Sequence, residues 1–315
     1  MLGPSVRRVR SWTVSPERYA RIAATALVLL CVIVVTGAAV RLSGSGLGCE
    51  DWPRCNDERF VDVSTGHGAI EQVNRLFTGL VAAGVILAVL AARRRSPHRR
   101  DLVVLAVGLV LGVIGQVVLG GVVVLTDLHP VANQGHFVLS MVLVANATIL
   151  VRRARGLTRD VRMPRAPRVL ARATVVLGIL ALFTGTIVTG SGPHAGDEEA
   201  RRFDLAIESV ARVHGASVIL ACLAVLATIA VARRDIETWS RLSTVLEATI
   251  AIAVVQGVVG YVQYFNDIPA LLVAVHIAGA TAFMIALTSL WDTTGRTAMV
   301  DQTVDESRET VSSYT

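Results

Sequence analysis

The sequence contains no lysine, few charged residues and few aromatic residues, and these shortages narrow the kind of protein it encodes. Charged residues make up 17% of the 315 residues, whereas a soluble domain typically carries about 25%. The net charge of +6 therefore comes from arginine, which gathers in short clusters between long apolar runs. We interpret these clusters as membrane-topology signals that can lie near lipid head groups, and we expect no nucleic-acid partner.

Long apolar runs dominate the chain, with 53% hydrophobic residues and a mean hydropathy of +0.60. A transmembrane helix needs about 20 apolar residues, and runs of that length predict eight such helices. They lie near residues 22–41, 71–92, 102–125, 131–151, 169–190, 207–232, 243–264 and 270–291. The first run is long enough to span and lacks a small-residue cleavage site, so we expect no cleaved signal peptide.

The loops differ in charge, which predicts their side of the membrane. Arginine dominates the N-terminus and residues 93–100, 152–168 and 233–241, and the positive-inside rule makes these segments cytoplasmic. The first and third loops on the opposite side carry the acids, from Glu50 to Asp62 and from Asp197 to Asp204. Both termini are therefore predicted to be cytoplasmic.

The two halves of the chain repeat each other. Gln116 precedes His136 by 20 residues and Gln256 precedes His276 by 20 residues, and a Thr-Gly motif opens at Thr36 and again at Thr184. We therefore predict an all-α integral membrane fold of two tandem pseudo-symmetric four-helix bundles. The expected segments are an N-terminal segment 1–21, a first half 22–151, a linker 152–168, a second half 169–291 and a tail 292–315.

Near the start of each predicted helix that runs inward from the outer side lies a polar or ionisable residue. These residues are Asn74, His136, His214 and His276. Polar groups inside a bilayer are costly, so each is a functional candidate. Two histidines at equal depth in a four-helix bundle are typical of a heme site, and the second half has such a pair. A histidine bonded to a backbone carbonyl is the alternative, while zinc would require further ligands.

The first half differs because Asn74 stands where a second histidine would complete the pair. Glu71 and Arg75 flank Asn74 on one helix face. They are interpreted in two ways: as an ion pair that lets both enter the membrane, or as a carboxylate beside a substrate, with Arg75 binding an acidic group such as a heme propionate.

The first outer loop contains Cys49 and Cys55, separated by five residues. An oxidising outer compartment predicts a disulfide between them, with either a structural or a redox role. His67, His129 and His194 lie near the predicted helix mouths, and the sequence leaves their participation open.

Together these residues resemble the heme A synthase family. The resemblance runs from Thr36 to about Trp291 and rests on two four-helix repeats, the cysteine pair, Glu71 with Arg75, and His136, His214 and His276. It implies that His214 and His276 ligate a heme b cofactor. It also implies that the first half takes heme O as substrate, with His136 as axial ligand and Glu71 as the essential carboxylate.

The activity implied by the resemblance is oxidation of the C8 methyl group of heme O to a formyl group by successive hydroxylations. Heme O synthase and cytochrome oxidase assembly factors are the implied protein partners. Asn74 departs from the commoner family pattern and puts two-histidine ligation of the substrate in question. The alternatives are a b-type cytochrome that only transfers electrons, and a heme transporter.

Overall fold

The computed structural model describes residues 13–157 and 163–295. Within them the chain forms eight α-helices and, apart from one isolated bridge between Val14 and Arg95, no β-structure. The helices are α1 (Pro16–Leu42), α2 (Gly66–Arg94), α3 (Arg100–Leu125), α4 (Pro130–Ala154), α5 (Arg165–Ser191), α6 (Ile207–Ala232), α7 (Ile236–Phe265) and α8 (Ala270–Thr293). The predicted all-α class and the eight spans are confirmed. Parts of the predicted N-terminal segment, linker and tail, with Arg7, Arg8, Arg10, Arg159 and Arg162, lie outside the described residues.

Several helices extend beyond their apolar cores. Helix α7 begins at Ile236 rather than near residue 243, and α1 begins at Pro16 rather than near residue 22. Side-chain caps explain these early starts, because Asp235 accepts a hydrogen bond from Thr238 N at 2.9 Å and Ser15 accepts one from Arg18 N at 3.3 Å. Hydropathy detects the apolar part of a helix, whereas a cap sets where the helix begins.

Each half forms a ring of neighbouring helices. In the first half α1 contacts α2 and α4, and α3 contacts the same two helices; in the second half α5 contacts α6 and α8, and α7 contacts the same two. The halves meet where α4 and α1 pack on α8 and where α4 touches α5. The same neighbour order occurs in both halves, while the pseudo-symmetry axis remains a prediction.

Two ends of this bundle are distinguished by their loops. We call the end with residues 43–65, 126–129, 192–206 and 266–269 the long-loop end, and the opposite end the arginine-rich end. At the long-loop end, the turns before α4 and α8 share an unusual backbone. Asp127, Leu128, Asp267 and Ile268 all have φ between 50° and 57°, a region that non-glycine residues rarely adopt. The repeat therefore extends to its turns.

The halves are joined by packing at mid-depth and by polar contacts at the long-loop end. Phe137, Met141 and Val144 of α4 pack with Ile277 and Met284 of α8. Arg41 of α1 donates to the carbonyl oxygens of His194 (2.7 Å) and Thr189 (2.9 Å) in the second half. Gly46 N donates to Gly196 O at 2.8 Å, and a Cβ on Gly46 would stand 3.0 Å from that oxygen. Glycine permits this close approach.

The outward faces of the helices are apolar and exposed, as with Val104 (70%) and Leu111 (63%). All eight helices have the length and hydropathy required to cross a membrane. The exposed apolar residues are therefore suited to contact lipid, and the chain is a multi-pass membrane protein.

Candidate functional site

Near the long-loop end, each even-numbered helix carries a polar residue that faces a glycine of the preceding helix. The pairs are Gly37 with Asn74, Gly120 with His136, Gly185 with His214, and Gly260 with His276. A Cβ on these glycines would lie between 3.1 and 4.0 Å from the nearest atom of the polar side chain. The glycines therefore keep space open beside four repeat-related groups. The sequence contains these glycines inside its repeated motifs, but their facing partners emerge only from the packing.

His214 and His276 lie side by side. Their ring centroids are 6.4 Å apart and their planes are inclined by 84°. A metal–imidazole bond is about 2 Å, so this separation leaves room for one metal ion between the two rings. Both side chains are partly buried. The predicted pairing of these histidines is therefore geometrically suited to metal ligation.

The ring nitrogens of the histidines have different surroundings. Thr184 Oγ1 lies 3.2 Å from His214 Nδ1, and it also lies within reach of the carbonyl oxygens of Leu180 (3.1 Å) and Ala181 (3.0 Å). By contrast, Nδ1 of His276 and Nδ1 of His136 are buried and have no hydrogen-bond partner among the described residues. A buried imidazole nitrogen without a partner is costly, and a metal bond is one way to satisfy such a ring.

Two imidazoles without a third ligand fit heme better than a protein-only metal site. Within residues 13–157 and 163–295, no group of three or more His, Cys, Asp or Glu residues could hold a metal ion. Heme iron already has four porphyrin nitrogens and needs only axial ligands from the protein. The donors, the ring spacing and the glycine clearance together suit a heme in the second half.

Glu71 of α2 is buried and engaged at both carboxylate oxygens. Its Oε2 accepts a hydrogen bond from Cys49 N at 2.8 Å, and its Oε1 lies 2.6 Å from Arg75 Nη2 and 2.9 Å from Arg75 Nε. The predicted Glu71–Arg75 ion pair therefore forms. Because a carboxylate oxygen has two lone pairs, the two Arg75 donors occupy Oε1, whereas Oε2, which accepts from Cys49 N, keeps acceptor capacity for a substrate group or water.

Arg75 extends from Glu71 into the loop before α2. Its Nη1 donates to the carbonyl oxygen of Arg54 at 3.1 Å, and both Nη atoms lie 3.3–3.4 Å from the carbonyl oxygen of Asp51. The guanidinium thus holds the cysteine loop (residues 49–55) onto α2. This placement gives Arg75 a loop-anchoring function that the sequence reasoning missed.

The cysteine loop is closed by a disulfide between Cys49 and Cys55, as predicted. It carries Trp52, whose indole packs on Gly121 of α3, so that a Cβ on Gly121 would come within 2.7 Å of the ring. The neighbouring Gly120 faces His136. Trp52 therefore covers the long-loop side of the helix segment that borders His136.

Local hydrogen bonds order the remainder of this loop. Asp62 accepts a hydrogen bond from Ser64 N at 2.9 Å and one from Asn56 Nδ2 at 2.8 Å. These bonds stabilise the ionised carboxylate, and the Ser64 backbone bond is the largest cause of lowering the pKa of Asp62 to about 2. The loop side chain therefore stays charged at any physiological pH.

The three remaining candidate histidines make other contacts. His67 Nδ1 lies 2.8 Å from Ser45 Oγ, and His194 Nε2 lies 2.7 Å from the carbonyl oxygen of Ile268. His129 caps α4, where its Nδ1 accepts from Val131 N at 3.4 Å. Each of these histidines thus makes a hydrogen bond at the long-loop end.

The chain matches one family model and several curated proteins that all carry the same name. The family model COX15-CtaA, described as cytochrome oxidase assembly protein, matches residues 20–196, more than half of the chain. The protein named heme A synthase from Listeria monocytogenes is 32% identical over 170 residues, which cover 51% of this chain and 55% of the relative. Heme A synthases of Listeria welshimeri (31% over 170 residues, 51% and 55%) and Halalkalibacterium halodurans (30% over 167 residues, 51% and 54%) are similar.

The matched stretch spans about half the length of these curated relatives. The family match contains Glu71, Asn74 and His136, and it ends before His214 and His276. Support for the second-half site therefore comes from the internal repeat and from the packing of its two histidines.

Proposed function

Because the chain belongs to the COX15-CtaA family of cytochrome oxidase assembly proteins, we propose that it is a heme A synthase, an oxidoreductase acting on heme O. It would oxidise the C8 methyl group to a formyl group by successive hydroxylations. The observation that carries this proposal is the asymmetry of the halves. One half has the His214–His276 pair at 6.4 Å, and the other has His136 with an amide at the matching position of the pair.

In the second half, His214 and His276 would hold a heme b cofactor. The 6.4 Å ring separation, the unpartnered Nδ1 of His276 and the clearance at Gly185 and Gly260 support this assignment. A bound heme b would supply one-electron transfer to the other half. The protein's part is to fix the two rings, and Thr184 does so at His214.

In the first half, His136 would ligate the iron of the substrate heme O, since it stands at the repeat position of His276. Gly120 keeps the space beside this ring free. Trp52, packed on Gly121, would limit access of water from the loop side.

Glu71 would act on protons at the methyl carbon that is oxidised. Each hydroxylation removes hydrogen from carbon, and a carboxylate can accept a proton or stabilise positive charge that develops there. Arg75 and Cys49 N orient this carboxylate while leaving a lone pair on Oε2. We assign Arg75 first to this positioning and second to an acidic substituent of the substrate.

We propose that the long-loop end faces outward, with both termini cytoplasmic and both heme sites toward the outer face. The arginines at the opposite end support this orientation, including Arg93, Arg94 and Arg152 in the last turns of α2 and α4. A heme O synthase that delivers the substrate and cytochrome oxidase assembly factors that receive the product are the proposed protein partners.

Two alternative functions are less well supported. A b-type cytochrome with two matching sites would need a second histidine in place of Asn74. A transporter would be expected to have helices broken at mid-depth, whereas the eight described helices run without interruption.

The pigment content of purified protein tests the proposal. An enzyme that converts heme O is expected to carry heme B together with heme O or heme A, and a cytochrome would carry heme B alone. His214→Ala and His276→Ala should each remove the low-spin signal of the resident heme. Low-spin spectra unchanged in both variants would contradict the cofactor assignment.

A further inference from the structure

Asn74 and His214 each contact a threonine, and the two threonines are equivalent in the repeat. Thr36 Oγ1 donates to Asn74 Oδ1 at 2.9 Å, and Thr184 Oγ1 lies 3.2 Å from His214 Nδ1. Each threonine belongs to a Thr-Gly pair, and the glycine of each pair lies beside the same polar side chain. The two halves therefore hold an amide and an imidazole in equivalent settings.

In the second half this setting prepares an iron ligand. The Thr184 hydroxyl can donate to Leu180 O or Ala181 O, and it then accepts a hydrogen bond from the Nδ1–H of His214. That tautomer leaves the lone pair of Nε2 free for a metal.

In the first half the same contact has the opposite effect. Only the oxygen of an Asn amide has lone pairs suited to a metal, and Asn74 Oδ1 already accepts from Thr36. The Thr36 hydroxyl lies closer to that oxygen than to its other acceptor, Ile33 O, at 3.3 Å. The amide nitrogen carries two N–H donors and finds no acceptor among the described residues, while Gly37 leaves space beside it. Asn74 thus presents donors.

We propose that Asn74 is not an iron ligand but a distal hydrogen-bond donor. It would leave one face of the substrate heme without a protein ligand and would donate to a small oxygen-containing molecule, water or dioxygen, that occupies that face. This inference rests on the proposed function, in which His136 ligates heme O from the other side. Thr36 is the positioning residue, because it fixes which end of the amide points away from α1.

Carbon monoxide is the probe for this open face, since it binds reduced heme iron only where an axial position is free. The full chain, purified with both hemes, is expected to show one high-spin heme and to bind carbon monoxide there. Asn74→His should convert that heme to a low-spin form and abolish carbon monoxide binding. Asn74→Leu should preserve binding and raise the C–O stretching frequency, because an N–H donor near the ligand is lost.

Thr36→Val should shift the C–O frequency in the same direction as Asn74→Leu. The matched control is Thr184→Val, the same change at the repeat-equivalent position. It should leave the C–O frequency unchanged and alter only the low-spin signal of the heme held by His214.

Wild-type protein that holds two low-spin hemes and binds no carbon monoxide would overturn the inference, as would an unchanged C–O frequency in Asn74→Leu. Failure of the proposed function has a different signature. A single heme per chain, or carbon monoxide binding that persists unchanged in His136→Ala, would show that no heme lies on His136, and both proposals would fall.

Discussion

Arg152 and Asp292 occupy equivalent positions of the two halves and form an ion pair with each other. Each follows its histidine, His136 or His276, by sixteen residues. Arg152 Nε lies 2.7 Å from Asp292 Oδ2, and the side chains are only 14% and 6% exposed. The pair links α4 to α8 near the arginine-rich end of the bundle.

Removing one member of this ion pair should destabilise the protein strongly. Breaking a buried ion pair by removing one member typically costs about 3–5 kcal/mol, so Arg152→Ala and Asp292→Ala should both lower the unfolding temperature of the detergent-solubilised protein. The double variant with Arg152→Asp and Asp292→Arg should recover most of this loss.

The control is Arg241→Ala, which removes the exposed ion pair with Glu237, whose side chain is 71% exposed. Such pairs contribute less than about 1 kcal/mol. If Arg152→Ala lowers the unfolding temperature no more than Arg241→Ala does, the ion pair between the halves does not stabilise the protein.

The glycine clearance predicts a difference between two neighbouring positions of α7. Gly260 faces His276, whereas a Cβ on Gly257 would meet nothing within 4 Å. Gly260→Leu should therefore displace the His276 ring and reduce heme occupancy, and Gly257→Leu should keep the low-spin absorption spectrum. Equal occupancy in the two variants would show that Gly260 does not define the pocket.

The disulfide predicts a thiol count. Unfolded in detergent without reductant, the chain should label at two thiols, Cys31 and Cys222, and reduction should raise the count to four. Cys31→Ala should lower both counts by one, which calibrates the assay. Four thiols before reduction would show that Cys49 and Cys55 are free in the purified protein.

Glu71→Gln separates a chemical from an anchoring role of this residue. If Glu71 handles protons, the variant should keep both hemes and accumulate heme O or a hydroxylated intermediate, because an amide cannot accept the proton. Arg75→Ala, which loosens the same loop but keeps the carboxylate, is the comparison. An anchoring role predicts that both variants lose heme occupancy together, measured by pigment chromatography per folded chain.

The sequence predicted the membrane class and the eight helices, because hydropathy reports directly on the apolar length of a helix. The repeat gave His214 and His276 equivalent depth, and their rings do lie 6.4 Å apart, while their ligation of a heme stays a prediction. The sequence did not predict where α7 begins, since the Asp235 cap lies outside the apolar run. Hydropathy thus predicts which segments cross the membrane, but it does not register the polar cap that sets the first residue of a helix.

The sequence pattern could not predict contacts between segments that are distant in the sequence. The sequence left Glu71 either a structural partner of Arg75 or a reactive group, and the structure adds Cys49 N as a further contact that the spacing could not reveal. The repeat marked Thr36 as part of a Thr-Gly motif but not its bond to Asn74, and Trp52 carried no signal of its own, because both contacts come from packing against α2 and α3.

The most direct test is heme A production in cells that make heme O but have no heme A synthase of their own. Pigments are extracted with and without this chain and separated by chromatography. The account predicts that heme A appears only when the chain is present and disappears in His136→Ala. If the folded protein accumulates with heme bound while heme O remains unconverted, the chain is not a heme A synthase.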